Sequence, residues 1–434
     1  MRQAMKKVVL GALMGAALVS LAGCGGGSAP KTSGVPKDTL VVGLPKDPET
    51  LEPAGTMDNT SWSITYPAYE RLVRYKTVDG KASTEVEPWL AKSWDVSGDG
   101  LTWTFHLADG HKFADGSPVD AKAVKFSIER VQKMKKGPSD YFKVVESIET
   151  PDASTVVFHL KKPFAPFLYT FAVNASGIVN PKVMDQAKDN DMGTSYLATH
   201  TMGSGAYEIT SYTPSQSIKI DAQKNYAGKA PAISHVIFHI IKDPSAQRLQ
   251  LEKGDLDIAQ GIPMDQIDQL KSNKEIHVYE DPSLLCSLVY LNNQKGPTAN
   301  KDFRRALSYA IDYKAVIDGA VKGRGEALTS AVPKGMWAKD DSLTGYTYDL
   351  NKAKELLAAS GENVTEMTLT YSDNKAYNEA EALLIQNNLG KLGIKVNLEK
   401  IAWPTFRQRC DKGEYEMALG SWSPDYSDPQ FFLS

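Results

Sequence analysis

The chain has 434 residues, 42% of them hydrophobic and 23% charged, so it is too long for one compact core and is neither disordered nor membrane-embedded throughout. Two or three domains are expected. Lys plus Arg number 49 and Asp plus Glu 52, a net charge of −3 that excludes the basic excess of a nucleic-acid binder.

Arg2, Lys6 and Lys7 precede an apolar run of 14 residues from Val8 to Leu21. A membrane span needs about 20, so residues 1–23 are expected to be a secretory signal peptide. The run ends in Leu21-Ala22-Gly23-Cys24, which resembles the bacterial lipobox. That resemblance implies cleavage before Cys24 and a lipid on its sulfur. Residues 24–37, rich in Gly, Ser, Thr and Pro, read as a flexible tether. The mature chain, with 46 basic and 52 acidic residues and a net charge of −6, is expected outside the cytoplasmic membrane, anchored by lipid and not spanning it.

The body begins with a short β-rich run, Thr39 to Gly43, ending in the turn residues Pro45, Asp47 and Pro48. Leu101 to Leu107 alternates strictly and predicts a half-buried strand entered through the Asp99-Gly100 turn; Thr155 to Leu160 predicts a second. Between them Asp120 is placed to cap a helix with the stripe Val124, Ser127, Ile128 and Val131. Phe303, Ala306, Leu307, Ala310 and Ile311 follow helical spacing. Met367, Leu369 and Tyr371 predict a strand, and Ala380, Leu383, Leu384 and Asn387 follow on a helix. Ile394, Val396 and Leu398 predict a second strand, which makes a βαβ unit with a parallel pair. The alternation Tyr415, Met417, Leu419 leads into the loop Trp422-Ser423-Pro424-Asp425-Tyr426-Ser427-Asp428-Pro429. The whole reads as a mixed α/β protein of more than one lobe.

No phosphate-binding loop, nucleophile elbow or HExxH motif occurs, so neither catalysis nor a cofactor is expected. His235 and His239 have the spacing of a metal pair on a helix, but Val236-Ile237-Phe238 between them favours a strand. There the two stand roughly 13 Å apart, too far to share an ion. Asp255 and Asp257 read equally as a paired-carboxylate site or a helix-to-strand turn, and Asp189 and Asp191 lack the glycine and distal Glu of a calcium loop. Cys286 and Cys410 are open to two readings, a disulfide or two free thiols.

Several motifs recur as an ordered set: Leu51-Glu52-Pro53; Glu87-Pro88-Trp89-Leu90-Ala91-Lys92-Ser93-Trp94; Asp99-Gly100-Leu101-Thr102-Trp103; Phe113-Ala114-Asp115-Gly116-Ser117-Pro118-Val119; Gly203-Ser204-Gly205-Ala206-Tyr207; Gly254-Asp255-Leu256-Asp257; and Arg305-Ala306-Leu307-Ser308-Tyr309-Ala310-Ile311-Asp312. Each is weak alone. Together they closely resemble the family 5 extracellular solute-binding proteins of ABC importers, the peptide-binding group, from about Leu40 to the last residue. The resemblance implies a periplasmic-binding-protein-like α/β fold of the class II type, with two main lobes, an inserted flanking lobe and hinge-bending closure. The expected first lobe is residues 38–75 with 200–285, the flanking lobe 76–199, and the third lobe 286–434. Family members continue past the Asp428-Pro429 motif, so the third lobe is expected to be incomplete at Ser434. In some oligopeptide binders the counterpart of Cys286 bonds to a cysteine just after the pocket tryptophan; that position here is Ser423.

The same resemblance implies a peptide ligand and the transmembrane subunits of an ABC permease as partners, with the chain a monomer. Asp425 takes the position of the aspartate that pairs with a ligand α-amino group. Ser421 and Ser423 are placed for backbone pairing with an extended peptide, Trp422 and Trp403 for flat apolar contact, and Met57, Asn59 and Thr60 for the opposite side. Arg407 and Arg409 are candidates for a ligand carboxylate. The alternatives are a non-peptide solute, such as a chelated metal or a sugar, on the same scaffold, and a secreted hydrolase, which the missing catalytic constellation disfavours.

Overall fold

The computed structural model describes residues 38–433; the expected signal peptide at 1–23, the expected tether at 24–37 and Cys24 lie outside the described residues. Three larger sheets and one hairpin organise the chain. The first sheet has the strand order Ile258–Ala259, Thr39–Leu44, His235–Ile240, Ser217–Ala222, Tyr207–Thr213. Thr39–Leu44 pairs in parallel along one edge and, at Val42 and Gly43, along the other, so Val41 to Leu44 are all buried and its sequence runs apolar without alternation. Asp257 belongs to a turn that docks this strand: its Oδ2 accepts from the Val41 N–H at 2.7 Å, and its own N–H donates to the Val41 carbonyl. His235 and His239 lie on one strand, and no cluster of metal-ligating side chains occurs among the described residues.

The second sheet has the order Ala91–Val96, Thr102–Leu107, Thr155–Leu160, Val145–Glu149, all antiparallel. Thr102–Leu107 buries Trp103, Phe105 and Leu107 alternately. Phe105, Phe158, Phe167 and Phe171 meet edge-on or tilted, 4.9–5.7 Å between centroids, and make an aromatic core. Helix Ala121–Met134 covers it, started by the Asp120 carboxylate, which accepts from the Ala123 N–H at 2.9 Å. A buried ion pair ties this helix to the segment after the first strand: Arg130 donates to both Glu52 oxygens at 2.9 and 2.5 Å. The hairpin Val73–Val78 and Lys81–Pro88 stands beside this sheet.

The third sheet has the order Cys286–Leu291, Met417–Trp422, Glu366–Ser372, Lys395–Ile401. Glu366–Ser372 and Lys395–Ile401 pair in parallel across helix Asn378–Gly390, so the βαβ unit is present. The buried face of this helix does not follow its leucines. Asn378, Glu381, Ala382, Ile385, Asn388 and Leu389 are buried, whereas Leu383 is 50% exposed and Asn387 is exposed. A stripe drawn through leucines fails here because Glu381 and Asn388 take inward positions with hydrogen bonds, Glu381 accepting from the Ser287 hydroxyl at 2.7 Å and Asn388 donating to the Leu384 carbonyl. Helix Lys301–Ala310 buries Phe303, Ala306, Leu307 and Ala310, and Ile311 has already turned to extended backbone. Cys286 and Cys410 are both free thiols. Among the described residues no helix is long and apolar enough to cross a membrane.

Candidate functional site

The site is built at the end of strand Met417–Trp422. On one edge this strand pairs with Cys286–Leu291 as far as Cys286 opposite Trp422. On the other, its parallel register with Glu366–Ser372 stops at Tyr371 opposite Leu419. From Gly420 to Trp422 the backbone therefore has one paired edge and one edge that no ladder covers, the condition for adding a further strand. Helix Trp403–Asp411 lies against the sheet here. It can do so because residue 420 is glycine: a Cβ there would stand 3.2 Å from the rings of Phe406 and Tyr290.

That helix carries Trp403 and Arg407, one turn apart. Trp403 is its first residue, 36% exposed and stacked on Phe406 at 5.8 Å. The Arg407 guanidinium sits 5.6 Å from the Trp422 ring and pairs with Asp411 at 3.1 Å. Arg409 is occupied elsewhere, donating to Glu399 at 2.8 Å and to the Glu414 carbonyl. Of the two arginines, Arg407 is the one beside the loop. Ser421 and Trp422 are half-buried and Ser423 is exposed; the Trp422 indole N–H is buried and has no protein acceptor.

Asp425 follows in the loop, half-buried. Burial raises its pKa above the ordinary carboxylate range, opposed by the Tyr141 hydroxyl and the Arg407 charge, both of which lower it. Tyr141 comes from the 3₁₀ segment Gly137–Phe142 beside the second sheet. Its hydroxyl, driven far up by burial and by the Asp425 charge, faces that carboxyl without full hydrogen-bonding geometry. The rest of the loop is fastened from several directions. Tyr426 is 6% exposed, with its ring edge-on to Tyr141 at 5.8 Å and to Phe431 at 4.6 Å, inside the aromatic core of the second sheet. The Ser427 N–H donates to the Tyr75 hydroxyl at 3.0 Å, and Trp337 Nε1 donates to the Ser427 carbonyl at 2.8 Å. Asp428 shapes the turn, its carboxylate accepting from the Gln430 N–H.

Met57, Asn59 and Thr60 stand at the start of helix Asn59–Thr65, whose cap Asp58 accepts from the Ser61 N–H at 2.9 Å and pairs with Lys46. Met57 is 40% exposed and leans on Gly137, where a Cβ would lie 3.0 Å from its sulfur. The Met57 end and the Asp425 loop thus both touch the segment Gly137–Phe142. Tyr141, Tyr75, Trp337 and Tyr426 are the residues that sequence reasoning missed. Only their aromatic character marks them: Tyr426 lies in the loop itself, and nothing local links Tyr75, Tyr141 or Trp337 to it across 90 to 352 residues.

Behind the third sheet lies a separate cavity of about 610 Å³, lined by Leu288, Leu307, Val316, Ile317 and Tyr346 among others, with Glu381 at its wall. Burial raises the Glu381 pKa, with the Ser287 hydrogen bond opposing.

The pattern of the bacterial extracellular solute-binding proteins, family 5, matches residues 85–434. The chain belongs to this family. It is 44% identical over 401 residues to a probable D,D-dipeptide-binding periplasmic protein of Escherichia coli K12, covering 92% of this chain and 77% of that one. It is 29% identical over 425 residues to heme-binding protein A of Haemophilus influenzae, covering 92% and 76%. Among solved structures it resembles an ABC transporter-associated periplasmic binding protein of Helicobacter pylori in complex with the peptide STSA. There the TM-score is 0.76 at 30% identity, and 91% of this chain and 80% of that one are covered. This solute-binding protein accordingly has the two-lobe class II α/β fold of its family, and the family consists of binding proteins.

Proposed function

We propose that this solute-binding protein captures short peptides with a free amino terminus between its first and third lobes and hands them to the transmembrane subunits of an ABC importer. The observation that carries the reading is the half-buried Asp425, three residues past an uncovered strand edge and near Arg407, which also lies over Trp422. Asp425 takes the ligand ammonium, Ser421 and Ser423 pair with its backbone, and Trp422 and Trp403 pack on its side chains. Met57, Asn59 and Thr60 approach from the first lobe. The lobes are taken as residues 38–75 with 200–285, 76–199 and 286–434. The 44% identical relative makes a D,D-dipeptide the first ligand to try, and the peptide-bound relative supports the peptide class. The chain acts by binding, without chemistry on the ligand, as a monomer held to the membrane through Cys24.

Native mass spectrometry of the purified protein, with calorimetry using D-alanyl-D-alanine and L-dipeptides, tests the reading. Peptide masses released on unfolding, and saturable binding that N-acetylation of the peptide abolishes, are the expected results. A single non-peptide mass such as heme would retain the scaffold and replace the ligand. Cys24→Ser is expected to release the protein from membranes into the soluble fraction; unchanged membrane association would reject the anchor.

A further inference from the structure

Residues 272–285 join the short helix Ile267–Lys271, beside the first sheet, to the first strand of the third sheet, Cys286–Leu291, and contain no helix or strand. Two consecutive acids, Glu280 and Asp281, stand in this connection, and cations reach them from three separate parts of the chain. Arg324, just beyond helix Tyr313–Val321, donates Nε to Glu280 Oε1 at 2.6 Å. Lys271 pairs with the other Glu280 oxygen, and Lys81, from the hairpin turn, pairs with Asp281. Arg324 also donates Nη2 to Asp268 Oδ1 at 2.6 Å, and Asp268 lies on the same short helix as Lys271.

We propose that Asp268, Arg324 and Glu280 form an ionic latch across the hinge, and that it stabilises the closed arrangement of the lobes. It rests on solute capture by lobe closure and not on the peptide identity of the ligand. Glu280 sits on the joint itself, so the Arg324–Glu280 bond tolerates rotation of one lobe against the other. Asp268 belongs to the first-sheet side and Arg324 to the third-sheet side, so their separation changes with that rotation. The bond is made in an arrangement where the loop after Trp422 is engaged, with Tyr426 inside the aromatic core and Ser427 on Tyr75. The Asp268–Arg324 bond and the engaged loop thus occur together in this structure. The Arg324 side chain is 18% exposed and holds both carboxylates at once, whereas Asp268 is 78% exposed. A single exposed pair contributes little, but two-state equilibria separated by a few kcal/mol respond to small biases.

The test is small-angle X-ray scattering of the ligand-free full chain, wild type, Asp268→Asn and Arg324→Gln, at low salt and at about 0.5 M NaCl, where charges are largely screened. The wild type is expected to expand as salt rises, and both variants to be more expanded at low salt and less responsive to it, the Lys271–Glu280 and Lys81–Asp281 pairs being common to all three. Asp268→Asn removes an exposed carboxylate and leaves the fold intact, so its result stands even if Arg324→Gln unfolds. With D-alanyl-D-alanine as probe, Asp268→Asn is expected to bind about threefold more weakly at low salt and to match wild type at high salt. Identical radii of gyration and identical salt responses in wild type and Asp268→Asn would overturn the latch. If no dipeptide binds any of the three proteins, the peptide reading fails, and the scattering alone decides the latch.

Discussion

Asp425 combines two opposite demands on one carboxyl. Burial raises its pKa, so the ligand-free fold favours the protonated form, while an ammonium ligand requires the ionised one. The contribution of this carboxyl to ligand-free stability is thus fully present below its unfolded pKa and is lost as pH rises through the raised folded pKa. Affinity for a free-amine peptide runs the other way, complete above the raised pKa and falling as pH drops through it. Asp425→Asn is expected to weaken free-amine peptides about ten- to a hundredfold, to leave N-acetylated ones little changed, and to flatten the pH profile. Calorimetry between pH 4 and 8 checks all three, and equal losses for blocked and free peptides would remove Asp425 from the anchoring role. Its place in a loop between Pro424 and Pro429 is legible in the chain. The neighbours that tune it are not: Tyr141 is nearly 300 residues earlier, and the packing of Tyr426 into the second sheet's core, with Ser427 held by Tyr75, brings the two together.

At the scale of elements, the strands and caps followed from local rules. The alternation of Thr102–Leu107, the Asp120 cap and the βαβ unit need only side-chain period and hydrogen-bonding chemistry. The face of helix Asn378–Gly390 did not, because Glu381 is buried by a partner on another strand, Ser287, which no periodicity announces. The uncovered edge at Gly420–Trp422 is likewise a property of two registers ending at different places. Gly420→Val tests how this edge is framed. Its side chain would meet Phe406 and Tyr290, displacing the helix that carries Trp403 and Arg407. A loss of about 1–3 kcal/mol is expected from overpacking, read by thermal or urea unfolding, together with weaker ligand binding. Unchanged stability and binding would show that the helix can shift without consequence.

For the whole molecule, a buried ion pair joins the segment after the first strand to the second sheet's helix, beside Ala54, which shares one core with Val124 and Ile128. Glu52 and Arg130 side chains are 1% and 2% exposed, and the Arg130 Nε also donates to the Met192 carbonyl. Glu52→Gln leaves the guanidinium buried without its counter-charge, and a loss of about 3–5 kcal/mol is expected. Urea unfolding is the measurement, and a change below about 1 kcal/mol would mean that water or a neighbour replaces the carboxylate. Apolar period, caps, turn residues and the ordered motifs were determined by the sequence itself, because they act between residues a few positions apart. The company of Asp425, the occupied state of Arg409 and the meeting of Arg324 with Asp268 and Glu280 were decided by the tertiary structure alone. Those contacts join residues from 5 to almost 300 positions apart, and their partners are chosen by how sheets and helices pack, which no local pattern of residues encodes.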